Sequence, residues 1–201
     1  MSQGPAVAAA VLTAGRSSRM GRPKALLPIG EATFLERVVS GADRAGLDPV
    51  RIVVGAHREE IDAALPSLRT RFVLNEDVDG GQLHSLRLAL GTLPEACEAC
   101  VMMLVDHPFV KDATVRLLVE AFDRTRAPMV VPRYRDRRGH PVLFGRELFG
   151  PLCGGPLDGG ARRVVRERGV RPVEVPVEDP GVLLDVDTPA EYEEALGGFR
   201  A

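Results

Sequence analysis

The stretch AVAAAVLT at residues 6–13 is apolar up to its last residue and runs straight into a polar loop, AGRSSRMGRPK at residues 14–24. A short apolar run with that ending reads as a strand buried on both faces, the pattern of a central strand in a parallel sheet. Working outward, Thr33 is an N-cap candidate for a helix that places Phe34, Leu35, Val38, Val39, Ala42 and Ala45 on one face and stops at Gly46. The unit then recurs. Strands are expected at 50–54, 71–74, 100–105 and 128–131, alternating with helices at 59–65, 82–93 and 112–124. This alternation predicts a three-layer α/β fold, a mainly parallel sheet with helices on both faces. Past Pro132 the pattern changes: RYRDRRGHPVLF alternates and breaks at Arg138 and Gly139, which predicts an inserted β-hairpin. A short helix at 159–168, strands at 171–177 and 182–186, and a closing helix at 189–196 complete the expectation.

Composition narrows the function classes. The 201 residues are 45% hydrophobic and 27% charged, ordinary globular usage that excludes disorder, collagen and coiled coil as whole-chain descriptions. A net charge of -2 is too balanced for a surface that holds nucleic acid by bulk electrostatics, and Trp is absent, which disfavours base-stacking platforms. The longest apolar run, residues 6–12, falls far short of the roughly 18 residues of a membrane helix. With no basic region ahead of that run, a cytoplasmic location is expected. Of the three cysteines, Cys97 and Cys100 have CxxC spacing, but no second pair completes a zinc site.

Ligands of open α/β sheets bind beyond the carboxyl ends of the strands, so chemistry is sought in the loops that follow them. The first loop carries Arg16, Arg19, Arg22 and Lys24 with no acid among them. Glycines let backbone approach an anion, free N–H groups cradle phosphate oxygens, and the cations neutralise them. The spacing fits neither the P-loop, which needs GxxxxGK, nor the dinucleotide fingerprint GxGxxG. A second loop, NEDVDGGQLHSL at 75–86, brings Gly80 and Gly81 to a helix start with Gln82 and Ser85. The third follows VMMLVD and sets Asp106 at a strand end, where a Mg²⁺ would be held by a carboxylate and substrate phosphates. In VLLDVDTP, Asp185 and Asp187 are two apart and would share a side-chain direction on a strand, so either could be the second carboxylate.

Taken together, VLTAGRSSRMGRPKALLP resembles the signature of nucleotidyltransferases of the MobA-like superfamily, and specifically molybdenum cofactor cytidylyltransferases. NEDVDGGQLHSLRLAL, MLVDHPFV, GHPVLFGRELF, LDGGAR and LLDVDTP extend the resemblance in order over nearly the whole chain. It implies a glycosyltransferase-A-like fold in one nucleotidyltransferase domain over 1–201, with a nucleotide-binding half at about 1–110 and an acceptor-binding half at about 111–201. It further implies transfer of a nucleotidyl group from an NTP to a phosphorylated acceptor, molybdopterin, with release of pyrophosphate. By motif position, Thr13, Ala14, Gly15, Arg16, Arg19, Lys24, Gly81 and Ser85 would bind the nucleotide, and Asp106 and Asp187 would carry Mg²⁺ or Mn²⁺. Lys24, Arg19 and Asp106 would be the catalytic set, and Gly139, His140, Asp158 and Arg162 would face the acceptor, with Leu157 where the family usually has glycine. CTP is favoured over GTP, because guanylyl-transferring relatives usually show a doubled glycine at Ala14-Gly15 and a GPLAG-like loop at residues 81–85. A sugar 1-phosphate acceptor, or a nucleotide- or cofactor-binding module or chaperone without turnover, are the alternatives. A molybdoenzyme or its chaperone is the protein partner such an activity would have.

Overall fold

The computed structural model describes residues 6–155 and 158–199. Strand β1 (Val7–Leu12) is buried along its whole length, as its composition requires. It lies between two parallel neighbours, β4 (Val50–Val54) and β6 (Ala99–Leu104), in register with both. Alternate β1 residues feed opposite faces, as the strand period demands. Val7, Ala9 and Val11 pack in a core with α1 (Phe34–Arg44), α2 (Arg58–Ala64), α4 (Asp112–Thr125) and α7 (Pro189–Phe199). Ala10 and Leu12 join the other core, with α3 (Gly81–Leu90), α5 (Phe149–Gly154) and α6 (Gly160–Glu167). Three layers result, as expected.

Helix α1 starts at a capping box. Glu36 N–H donates to the Thr33 hydroxyl at 3.2 Å, and the Thr33 backbone N–H donates to the Glu36 carboxylate at 2.8 Å. That reciprocal pair satisfies donors the first turn leaves free. Ahead of it, β2 (Pro28–Ile29) and β3 (Ala32–Thr33) form a small antiparallel ribbon.

The remaining strands are β5 (Phe72–Leu74), β7 (Met129–Tyr134), β8 (Arg137–Arg138), β9 (Val142–Gly145) and β10 (Val173–Pro176). The main sheet runs β10-β7-β9-β6-β1-β4-β5, with β8 paired to β7. Strand β9 inserts antiparallel between β6 and β7. Two expectations are corrected here. The hairpin turns at Arg135 and Asp136, not at Arg138 and Gly139: β7 and β8 pair Tyr134 with Arg137, and Arg135 takes φ 53°. Residues 182–186 are not a strand: the first two close a 3-10 turn at Pro180–Leu183, and the others follow it outside any strand. The Val186 N–H donates to the Asp106 carbonyl at 2.9 Å, so this segment is pinned across the end of β6 instead of lengthening the sheet.

Gly139 serves this junction rather than a turn. A Cβ there would lie 2.2 Å from the Val182 carbonyl oxygen, a backbone atom with no room to yield. Gly139→Ala is expected to lower stability by roughly 1–3 kcal/mol through overpacking. Denaturant unfolding of the variant measures this, and an unchanged midpoint would contradict the packing.

Candidate active site

The Leu12–Leu104 pairing puts the ends of β1 and β6 side by side, so the loops that leave them face one another. Between them lies a cavity of about 330 Å³. Thr13, Ala14, Gly15, Arg16, Arg19, Lys24, Gly81, Ser85, Asp106 and Asp187 all line it, together with Gln82 of the second loop and with Ser17 and Ser18, which sequence reasoning did not assign.

The basic loop folds on itself before it reaches any ligand. Ser17, at φ 50°, accepts on its carbonyl from the Met20 and Gly21 N–H groups, and its hydroxyl accepts from Lys24 N–H at 3.2 Å. Buried Met20, Ala25 and Leu27 anchor the two ends of the Arg22–Lys24 stretch. The Tyr192 hydroxyl of α7 donates to the Pro28 carbonyl at 2.7 Å, and Arg22 lies over the Tyr192 ring. On the other side, Arg16 pairs with Asp79 through bonds of 2.8 to 3.2 Å. The His57 Nε2 lies 2.9 Å from the Arg16 carbonyl. The support His57 gives this loop has no local sequence signal, since its partner is contributed by tertiary packing.

At the cavity floor the Lys24 side chain is only 13% exposed. Its ammonium is 3.5 Å from Asp106 and also pairs with Asp187, which in turn pairs with Arg19. The Lys24 hydrogen bond and charge, with Arg19 assisting, hold the Asp187 carboxyl below the usual carboxylate range. Both carboxylates thus converge on one cationic atom. That arrangement fits Mg²⁺ or Mn²⁺, which take one or two carboxylates and complete their shell with phosphate oxygens and water. No cluster of three or more potential ligands occurs among the described residues. Of Asp185 and Asp187, Asp187 lines the cavity, whereas Asp185 is exposed and outside the lining. Helix α7 is capped by Thr188 and Glu191, which exchange hydrogen bonds, and this leaves the Asp187 carboxylate free of any capping duty.

A second cavity, about 950 Å³, shares Gly81 and Gln82 with the first. Gly139, His140 and Arg162 line it. Asp158 does not: its carboxylate pairs with Arg163, outside the lining, and Leu157 lies outside the described residues. The floor is apolar, with Met102, Val131, Val142 and Phe144, and the wall adds Arg138, Arg166 and Arg171, with no carboxylate in the lining. Arg166 and Arg171 escaped the sequence reading because exposed arginines carry no distinctive pattern. Of the hairpin cations, Arg133 and Arg138 are both held by Glu174 on β10.

The His140 ring stands 5.1 Å from that of His107, which lines neither cavity, and each has a buried Nδ1 lacking a partner among the described residues. Burial, aided by the His107 and Arg162 charges, pushes His140 down to about 4. Between pH 6.5 and 4 the unfolded chain therefore binds a proton that the native protein refuses, so stability falls as pH is lowered through this window. His140→Gln is expected to flatten that decline in denaturant midpoints, and an unaltered slope would contradict the assignment.

The chain is similar to known proteins over most of its length. The chain is 35% identical to Rv0371c of Mycobacterium tuberculosis H37Rv, with a TM-score of 0.85 and 96% and 98% of the two chains covered. A second crystal structure of Rv0371c, 33% identical over 97% and 100% of the chains with a TM-score of 0.82, is a complex with manganese. The chain is 31% identical to nicotine blue oxidoreductase of Paenarthrobacter nicotinovorans over 92% and 93% of the two lengths. It is 32% identical to the bifunctional protein GlmU of Syntrophotalea carbinolica over 71% of its own length but spans only 30% of that relative. The fold is the glycosyltransferase-A-like one that more distant solved nucleotidyltransferases share. Residues 9–173 match the MobA-like NTP transferase domain, and the chain belongs to that family of nucleotidyltransferases.

Proposed function

We propose that this protein transfers CMP from CTP to the phosphate of molybdenum cofactor, releasing pyrophosphate, with Mg²⁺ or Mn²⁺ bound by Asp106 and Asp187. The observation that carries the reading is the meeting of Lys24, Asp106 and Asp187 at the floor of a cavity that opens onto a second, carboxylate-free one. Manganese in the Rv0371c complex supports divalent-metal use. Ala14 in place of a second glycine, and Gln82 and Ser85 at the cavity wall, support cytidine.

In this reading the first cavity takes the nucleotide and the second the acceptor. Thr13, Ala14, Gly81 and Ser85 surround the base and sugar, and Gly15, Arg16 and Arg19 meet the triphosphate. Lys24 stands over the α-phosphate, where negative charge grows as the acceptor oxygen attacks phosphorus. Asp106 and Asp187 would hold the metal, whose charge stabilises the leaving pyrophosphate when bound. No protein nucleophile is needed, because the acceptor's own phosphate oxygen attacks. Positioning and charge neutralisation carry the reaction.

Arg162 reaches the acceptor phosphate beside Gly139 and His140, and His140, kept neutral by burial, offers a ring N–H without adding charge. The apolar floor suits an acceptor with a flat, weakly hydroxylated body better than a sugar, whose hydroxyls would face Met102, Val131 and Phe144 without partners. The chain's halves divide near residue 110, although Leu83, Leu86 and Met102 of the first half contribute to the acceptor cavity. The unpaired Cys97, Cys100 and Cys153 suit a reducing cytoplasm.

The test is pyrophosphate release with each of CTP, GTP, ATP and UTP, with and without molybdenum cofactor. Release with CTP and the cofactor alone is expected; release with a sugar 1-phosphate would discard the acceptor, and NTP binding without release would favour a binding module. Lys24→Ala and Asp106→Ala are each expected to cut turnover by roughly 100- to 1,000-fold or more while circular dichroism stays native. Near-normal turnover in either would contradict the roles given.

A further inference from the structure

Asp106 and Asp187 reach the cavity on separate segments, one leaving β6 and the other arriving ahead of α7. The strand ladder does not join these segments, since residues 182–186 lie outside the sheet. Asp179 makes the join. It is 2% exposed, and no ion pair reaches it among the described residues. One carboxylate oxygen accepts from the Lys111 backbone N–H at 2.9 Å and the Thr114 hydroxyl at 2.6 Å, both at the start of α4. The other accepts from the Gly181 N–H at 3.0 Å.

A turn cap needs only one of these oxygens. A buried carboxylate is costly unless its lone pairs are filled, so the second oxygen's bonds to α4 commit Asp179 to holding two segments together. Around it the fit is close. A Cβ on Gly181 would lie 2.4 Å from the Phe109 carbonyl oxygen, the Val182 carbonyl accepts from His140 N–H at 2.9 Å, and Val186 N–H reaches the Asp106 carbonyl. Residues 179–187 are thus stitched to residues 106–114, with Asp179 at the head of the seam and Asp187 at its foot.

We propose that Asp179 is a positioning residue that sets Asp187 opposite Asp106, so that the two carboxylates share one divalent cation. The proposal rests on the reading of Asp106 and Asp187 as the metal carboxylates. Asp179→Asn keeps the shape but replaces one acceptor oxygen with an amide NH₂, which cannot accept from the backbone N–H it would face. Thr114→Val removes one donor and leaves Asp179 in place.

Mn²⁺ binding to the full chain with saturating CTP, followed by electron paramagnetic resonance, is the experiment. Asp179→Asn is expected to weaken Mn²⁺ by roughly 10- to 100-fold, in the range of other outer-shell substitutions, with Thr114→Val between it and the wild type. CTP affinity measured in EDTA stays unchanged, and turnover shows a raised KM for metal with kcat recovered at high Mn²⁺. Leu118→Ala, a core change in α4, supplies the stability control: it lowers Tm and leaves Mn²⁺ affinity alone. Wild-type Mn²⁺ affinity in Asp179→Asn, or in Thr114→Val should the first variant not fold, would overturn the proposal while Asp106→Asn still weakens binding. Mn²⁺ binding indifferent to Asp106→Asn would overturn the metal-site reading itself and this proposal with it.

Discussion

The parallel pairing of β1 with β6 is the constraint on which the site depends. Six consecutive residues of each strand are buried, and their register runs unbroken from Val7 with Ala99 to Leu12 with Leu104. A shift by one residue would turn Val7, Ala9 and Val11 out of the core they share with α1 and α4 and into the opposite one. That penalty fixes where each strand stops. Because both stop at the same height, the loop that carries Lys24 and the loop that carries Asp106 must leave the sheet as neighbours.

What the neighbours hold is a charge cluster, part-buried at Lys24, Asp106 and Asp187. Lys24, Arg19, Asp106 and Asp187 neutralise one another in the free protein. The cations suited to a triphosphate occupy the carboxylates suited to a metal. A metal–nucleotide complex brings both charges at once and can exchange partners without stranding any group, whereas a metal alone must displace an ammonium that then lacks a counterion. Leaving one member of a part-buried pair alone is the expensive outcome. On the proposed reading of these residues, the arrangement would couple metal and nucleotide binding thermodynamically.

Much of this was legible in the sequence where the signal is local. The apolar run of β1, the Thr33 cap with its Glu36 partner and the density of cations after β1 each declare themselves within a few residues. The lining of the first cavity followed from the family motifs. What escaped depends on partners distant in the chain. Residues 182–186 are apolar enough for a strand, but Val186 spends its N–H on Asp106, and the sheet has no place for them. Gly139 reads as a turn and instead makes room for the Val182 carbonyl. Asp158 sits in a matching motif, yet Arg163 five residues on takes its carboxylate. His57, Asp179 and Arg166 look ordinary in sequence and acquire their surroundings only through packing.

The most direct measurement is the dissociation constant of Mn²⁺, by calorimetry, in the absence and presence of saturating CTP. Mutual neutralisation of Lys24, Arg19, Asp106 and Asp187 predicts that CTP tightens Mn²⁺ binding at least 10-fold, on the order of 1.4 kcal/mol of coupling. Mn²⁺ bound equally tightly with and without the nucleotide would contradict it.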